Sequence, residues 1–143
     1  MTDKMTRLLA IAGITPFAAC AALLLAGVRE APHLGEVQRL AASYGLLILA
    51  FMAGVHWGQR LSGIAAGLNL FILSNVIALA GWFAYLFLPA RLYFGALIAL
   101  FVLLFAIDRM IAARGGLSPH YLATRKGVTA AVVVCLCAIA FRA

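Results

Sequence analysis

Ile64–Leu88 reads IAAGLNLFILSNVIALAGWFAYLFL, twenty-five residues with no acid, base or histidine, ended by Pro89. As a helix rising about 1.5 Å per residue it reaches ~37 Å, more than the ~30 Å hydrocarbon core of a bilayer, so it can span with some tilt. Strands and soluble-core helices do not sustain apolar runs of this length. The stretch is therefore read as a membrane helix, and the rest of the chain is read around it.

Four further apolar runs flank it. Leu8–Val28 precedes the polar segment Arg29–Leu40, with Pro32, His33, Gly35 and four charges, and Ala41–Gly58 follows that segment. Beyond Pro89, Leu92–Asp108 is apolar almost to its end, Arg114–Lys126 reads as a loop with Gly115, Gly116, Ser118 and Pro119, and Val128–Phe141 is apolar again. The last run is too short to cross alone and reaches the needed length from about residue 122, with Arg125 and Lys126 snorkelling to the headgroups. The fold class expected is all-α, a polytopic bundle of about five transmembrane helices over residues 8–28, 41–58, 64–88, 92–108 and 122–141 in one domain, 1–143. Pro16 should bend the first of these.

Composition points the same way. The 143 residues are 66% hydrophobic and 10% charged, with mean hydropathy +1.11, too few polar groups to cover a soluble globule. Lipid is the expected partner of most of the surface. Lys4 and Arg7 before an apolar run imitate a secretory signal, but a run of about 20 residues exceeds the usual 7–15-residue signal core and lacks a small-x-small site, so it is read as a retained helix. The net charge of +7 comes from eleven Lys and Arg scattered between apolar runs. That is the pattern of helix ends rather than a nucleic-acid patch. Cys20, Cys135 and Cys137 lie within apolar runs and read as packing residues, with neither a disulfide nor a metal site indicated.

With five spans, one side receives Lys4, Arg7, Arg60, Arg109, Arg114, Arg125 and Lys126, and the other Arg29, Arg39, Arg91 and Arg142. The positive-inside rule then puts the N-terminus in the cytoplasm and the C-terminus outside. This topology draws polar residues to the inner end: His56, Trp57 and Arg60 from the second span, Asn69 from the third, Asp108 from the fourth, and Tyr121 and Arg125 from the last connection.

Asp108 is the only acid beyond the first loop. An acid near the hydrocarbon boundary is costly unless paired. Arg109 is adjacent and points about 100° away on a helix, so the expected partner is Arg60 or Arg125. Two readings stand: a latch between helices, or a binding site for a lipophilic molecule such as a quinone, porphyrin or lipid near His56 and Arg60. A bis-histidine haem would need a second intramembrane histidine, whereas His33 and His120 fall in loops on opposite sides. No cofactor is identified, and no catalytic set, nucleotide loop or zinc motif is visible. A third reading, a membrane enzyme with His56 and Asp108 as acid and base, needs both to line one cavity.

Gly54 and Gly58 form a G-x-x-x-G, as do Gly63 and Gly67, the spacing that lets membrane helices approach closely. Asn75 is expected to hydrogen-bond across helices. Tyr85, Phe87, Tyr93 and Phe94 flank Pro89, where interfacial aromatics belong. Docking onto another membrane protein, or onto a second copy, is the expectation such faces support.

The elements Gly13-Ile14-Thr15-Pro16-Phe17, Tyr44-Gly45, Gly54-Val55-His56-Trp57-Gly58 and Tyr121-Leu122 with Arg125 and Thr129 resemble a family of small membrane proteins that includes transmembrane protein 69. The resemblance covers about residues 8–140 and is most specific at His56-Trp57-Gly58. It implies a bacterial inner-membrane protein with mitochondrial-looking eukaryotic relatives. It supplies no activity.

Overall fold

The computed structural model describes residues 2–64, 67 and 69–143, and among these the chain is almost wholly helical, with five spans long and apolar enough to cross a membrane. The first span is built of two short helices, α1 (Thr2–Ala12) and α2 (Thr15–Leu25). The others are α3 (Val37–Leu61), α4 (Leu70–Phe87), α5 (Ala90–Ala113) and α6 (Pro119–Arg142). The protein is a multi-pass membrane helix bundle.

Pro16 does more than bend the first span. Its ring nitrogen cannot donate to the carbonyl four residues back, which leaves the Ala12 oxygen without its helical partner. The Thr15 hydroxyl donates to that oxygen at 2.7 Å. The Tyr44 hydroxyl, from α3, donates to the next carbonyl, Gly13, at 2.8 Å. Both carbonyls at the break are thus satisfied without water, the condition under which a broken helix is stable at membrane depth. Phe17 follows the break fully buried and meets Tyr44 edge to face, with ring centroids 4.9 Å apart.

Helix ends differ from expectation where local capping decides them. The first connection forms a small antiparallel hairpin, Glu30–Ala31 with Gly35–Glu36, in which His33 and Gly35 take positive φ. α3 consequently starts at Val37, not at residue 41, and Val37 is fully buried. α6 starts at Pro119, not at 122, because Ser118 caps the Tyr121 amide at 3.1 Å and proline suits the first turn. The expected loop at 114–126 shortens accordingly, and Tyr121 and Arg125 are helical. α4 begins at Leu70 behind Asn69, whose side chain accepts from the Phe71 and Ile72 amides. The expected start at Ile64 runs into residues 65, 66 and 68, which lie outside the described residues.

α3 packs along α4, and α5 along α6, with α2 set against both α3 and α6. The core is a column of Phe17, Leu49, Ile77, Phe94, Leu97, Leu104, Ile107 and Leu136. Tyr93 and Phe94 are buried as part of it, and the Tyr93 hydroxyl donates to the Ala42 carbonyl at 2.7 Å. The close helix approaches are made at Gly45 and Gly81, not at the glycines expected. A Cβ on Gly45 would come within 2.6 Å of Leu97, and one on Gly81 would collide with Leu49. Gly54 and Gly58 instead face open space, and Gly63 and Gly67 lie beyond the end of α3 at positive φ, so their spacing is not a helical one. A G-x-x-x-G pattern reports spacing only, and which face the fold covers is set by the neighbouring large residues.

Candidate functional site

Three buried polar side chains meet near one end of the bundle. His56 lies five residues from the end of α3, Asp108 five from the end of α5, and Arg125 six from the start of α6. At about 1.5 Å per residue all three therefore sit some 8–9 Å inside their helices. The Asp108 carboxylate accepts from His56 Nε2 at 2.9 Å on one oxygen and from Arg125 Nε at 2.7 Å on the other. His56 and Asp108 are 1% exposed and Arg125 9%.

Their positions follow from helix periodicity. On α3 the buried residues Gly45, Leu49, Ala53, His56 and Gln59 recur at three- and four-residue steps, so His56 continues the core stripe. On α5, Leu97, Phe101, Leu104 and Asp108 do the same. α6 runs antiparallel to α5, and its buried stripe of Ile139, Leu136, Val132 and Thr129 ends at Arg125. The sequence thus aims one ionisable group from each of three core faces at one point.

Electrostatically the cluster balances itself. An isolated carboxylate at this depth would cost several kcal/mol, and a buried guanidinium as much. Paired, they cancel, and the imidazole adds a second charge-assisted hydrogen bond from Nε2. His56 Nδ1 is buried and meets no partner among the described residues, as is true of Gln59 Oε1. Arg125 also donates from a terminal nitrogen to the Met52 sulfur at 3.5 Å. A carboxylate-oriented imidazole is a familiar acid/base geometry. At 1% exposure, however, neither His56 nor Asp108 presents surface to a substrate.

The other expected site residues lie elsewhere. Arg60 is exposed and stands 6.0 Å from the Phe71 ring centroid, so the partner of Asp108 is Arg125. Trp57 is exposed and meets Phe71 edge-on at 4.7 Å. Asn69 serves as the α4 cap, and Asn75 donates to Phe71 O of its own helix at 2.7 Å instead of crossing to another. Tyr121 is half-buried and lines, with Arg125 and Met52, a cavity bounded by α1, α3 and α6. Met52 and Gln59 were not anticipated. Continuing the α3 core stripe past Leu49 would have found Gln59.

At the opposite end arginines act on backbone. Arg142 Nε donates to Leu24 O at 3.1 Å, and Arg91 Nε to Ala140 O at 3.4 Å. These are cations at the last carbonyls of α2 and α6, where helix dipoles favour them.

A family model described as "Protein of unknown function (DUF3429)" matches residues 2–141. No curated protein matches the chain, and no solved structure does. The protein belongs to that family, which includes the small membrane proteins resembling transmembrane protein 69. The segments that carried the resemblance now have physical roles: Thr15, Pro16 and Tyr44 build the broken first span, and His56 and Arg125 hold Asp108.

Proposed function

We propose that this protein is a structural and assembly component of a bacterial cell membrane, a bundle latched by His56, Asp108 and Arg125 that docks a neighbouring transmembrane helix on the open face of α3. The observation that carries this reading is the pairing of the one buried acid: Asp108 gives each oxygen to a partner within the same chain. A carboxylate held on both oxygens by side chains of two other helices fixes those helices to its own.

The docking face is argued from exposure. Leu47, Ala50, Phe51, Gly54, Trp57, Gly58 and Leu61 are all exposed and recur at three- and four-residue steps along α3. Around Gly54 and Gly58 the backbone is bare, so a second helix could approach closely between large flanking side chains. A photo-crosslinker at Leu61 should give a discrete protein adduct in native membranes, one at Leu103 on α5 should not, and Gly54→Leu should abolish the adduct while leaving unfolding of the chain unchanged. Lipid adducts alone at both positions would refute the docking reading.

The orientation rests on charge. With Arg125 buried, the latch end still carries Lys4, Arg7, Arg60, Arg109, Arg114 and Lys126, against Arg29, Arg39, Arg91 and Arg142 at the other. We assign the latch end to the cytoplasm. Reporter fusions at Gly115 should read cytoplasmic and those at Ala143 external, and equal readings would remove the fifth crossing.

A further inference from the structure

Arg125 is nine-tenths buried, yet its bonds use only part of its donor set. A guanidinium has five N–H donors. One is spent on Asp108 and one on the weak thioether acceptor of Met52, and the other three meet no acceptor among the described residues. None of the Arg125 nitrogens is both sealed and unpartnered, so the spare donors open onto adjoining space, where something outside the chain can accept from them.

The cavity beside it shows what could. It holds about 410 Å³ between α1, α3 and α6, with apolar walls that include Ala10, Met52 and Val132, and with Arg125, Tyr121, Thr6 and Thr124 as polar residues on its lining. That volume lies within the range of small-molecule sites, and a mostly apolar wall with a few converging donors is their usual make-up. The occupant must therefore be mostly hydrocarbon and must carry a hydrogen-bond acceptor.

Charge narrows the acceptor. Asp108 already neutralises Arg125, so the ion pair leaves no net charge to balance an anion. A carboxylate or phosphate entering it would bring one uncompensated charge into the bilayer interior, whereas a carbonyl oxygen would take the spare N–H donors at no such cost.

We propose that this cavity binds a neutral lipophilic molecule that presents a carbonyl oxygen to Arg125. A quinone ring and the ester carbonyl of a lipid share this chemistry.

The test is retention of four probes by the purified full chain in dodecyl maltoside, measured by equilibrium dialysis: a decyl-substituted benzoquinone, methyl dodecanoate, dodecanoate and dodecane. Ala10→Phe, which fills the cavity from α1 without touching the triad, supplies the baseline for partition into the micelle. At least one carbonyl probe should be retained tenfold or more above dodecane over that baseline. Arg125→Lys, which keeps the charge opposite Asp108 but loses the forked donors, should reduce it to the level of dodecane. Preference for the quinone assigns the site to quinones, and preference for the ester assigns it to ester lipids. If Arg125→Lys does not fold, the ratio of carbonyl probe to dodecane against the Ala10→Phe baseline decides alone. Tighter retention of dodecanoate than of its methyl ester would overturn the proposal in favour of an anionic ligand. Equal retention of dodecane, or no difference between the wild type and Ala10→Phe, would overturn it in favour of a crevice filled by ordinary lipid.

Discussion

At one end of the bundle, Arg91 and Arg142 reach helix-terminal carbonyls while keeping part of their surface exposed. At the other, Arg125 is nine-tenths buried and pairs with a carboxylate that is almost completely so. The residue type is the same and the energetics are opposite. An arginine capping carbonyls at an interface loses little hydration and can be replaced by water when removed. An arginine inside the helices has exchanged most of its hydration for Asp108, so losing either partner strands an uncompensated charge within the bundle. One end of this protein is fastened reversibly, by groups that water can substitute, and the other by a pair that must be kept whole.

The largest expected effect comes from breaking the buried end. Asp108→Asn should lower stability in detergent by about 3–5 kcal/mol, the usual consequence of leaving one partner of a buried ion pair alone, read as a fall in thermal midpoint. His56→Ala should be milder, about 1.5–3 kcal/mol, because it removes one hydrogen bond to a charged acceptor while leaving Arg125 compensated. Tyr44→Phe, which unpairs Gly13 O at the broken first span, should cost about 1 kcal/mol, in line with hydrogen bonds inside membrane bundles. Arg142→Ala at the capped end should cost only about 0.3–1 kcal/mol. An Arg142→Ala loss as large as that of Asp108→Asn would erase the distinction between the two ends.

Much of this was legible in the sequence. Runs such as Ile64–Leu88 revealed the five spans because hydropathy over twenty residues depends on composition and not on detail. Pairing of Asp108 with a distant arginine followed from the cost of a lone acid and from span topology, but the choice of Arg125 over Arg60 did not. That choice turns on the start of α6. Reading 114–126 as a loop left Arg125 free to snorkel, whereas the Ser118 cap and Pro119 carry the helix back to 119 and place Arg125 on its buried stripe. The cap residues were visible, and only their weight was missed.

The glycines were the least legible feature. Spacing singled out Gly54, Gly58, Gly63 and Gly67, while the fold packs on Gly45 and Gly81. Small size permits close approach on any face, and the covered face is chosen by Leu97 and Leu49 from other helices, which no local pattern encodes. Gly45→Ala should therefore destabilise the isolated chain by about 1–3 kcal/mol through overpacking, while Gly58→Ala should leave its thermal midpoint in place.

The most direct test of the buried latch is a double-mutant cycle between Asp108→Asn and Arg125→Met, followed by thermal unfolding in one detergent. A pair that compensates within the bundle predicts that the double variant recovers part of the loss, with a coupling of about 1–3 kcal/mol. Strictly additive losses would contradict it, because Asp108 and Arg125 would then be stabilising the protein independently of each other.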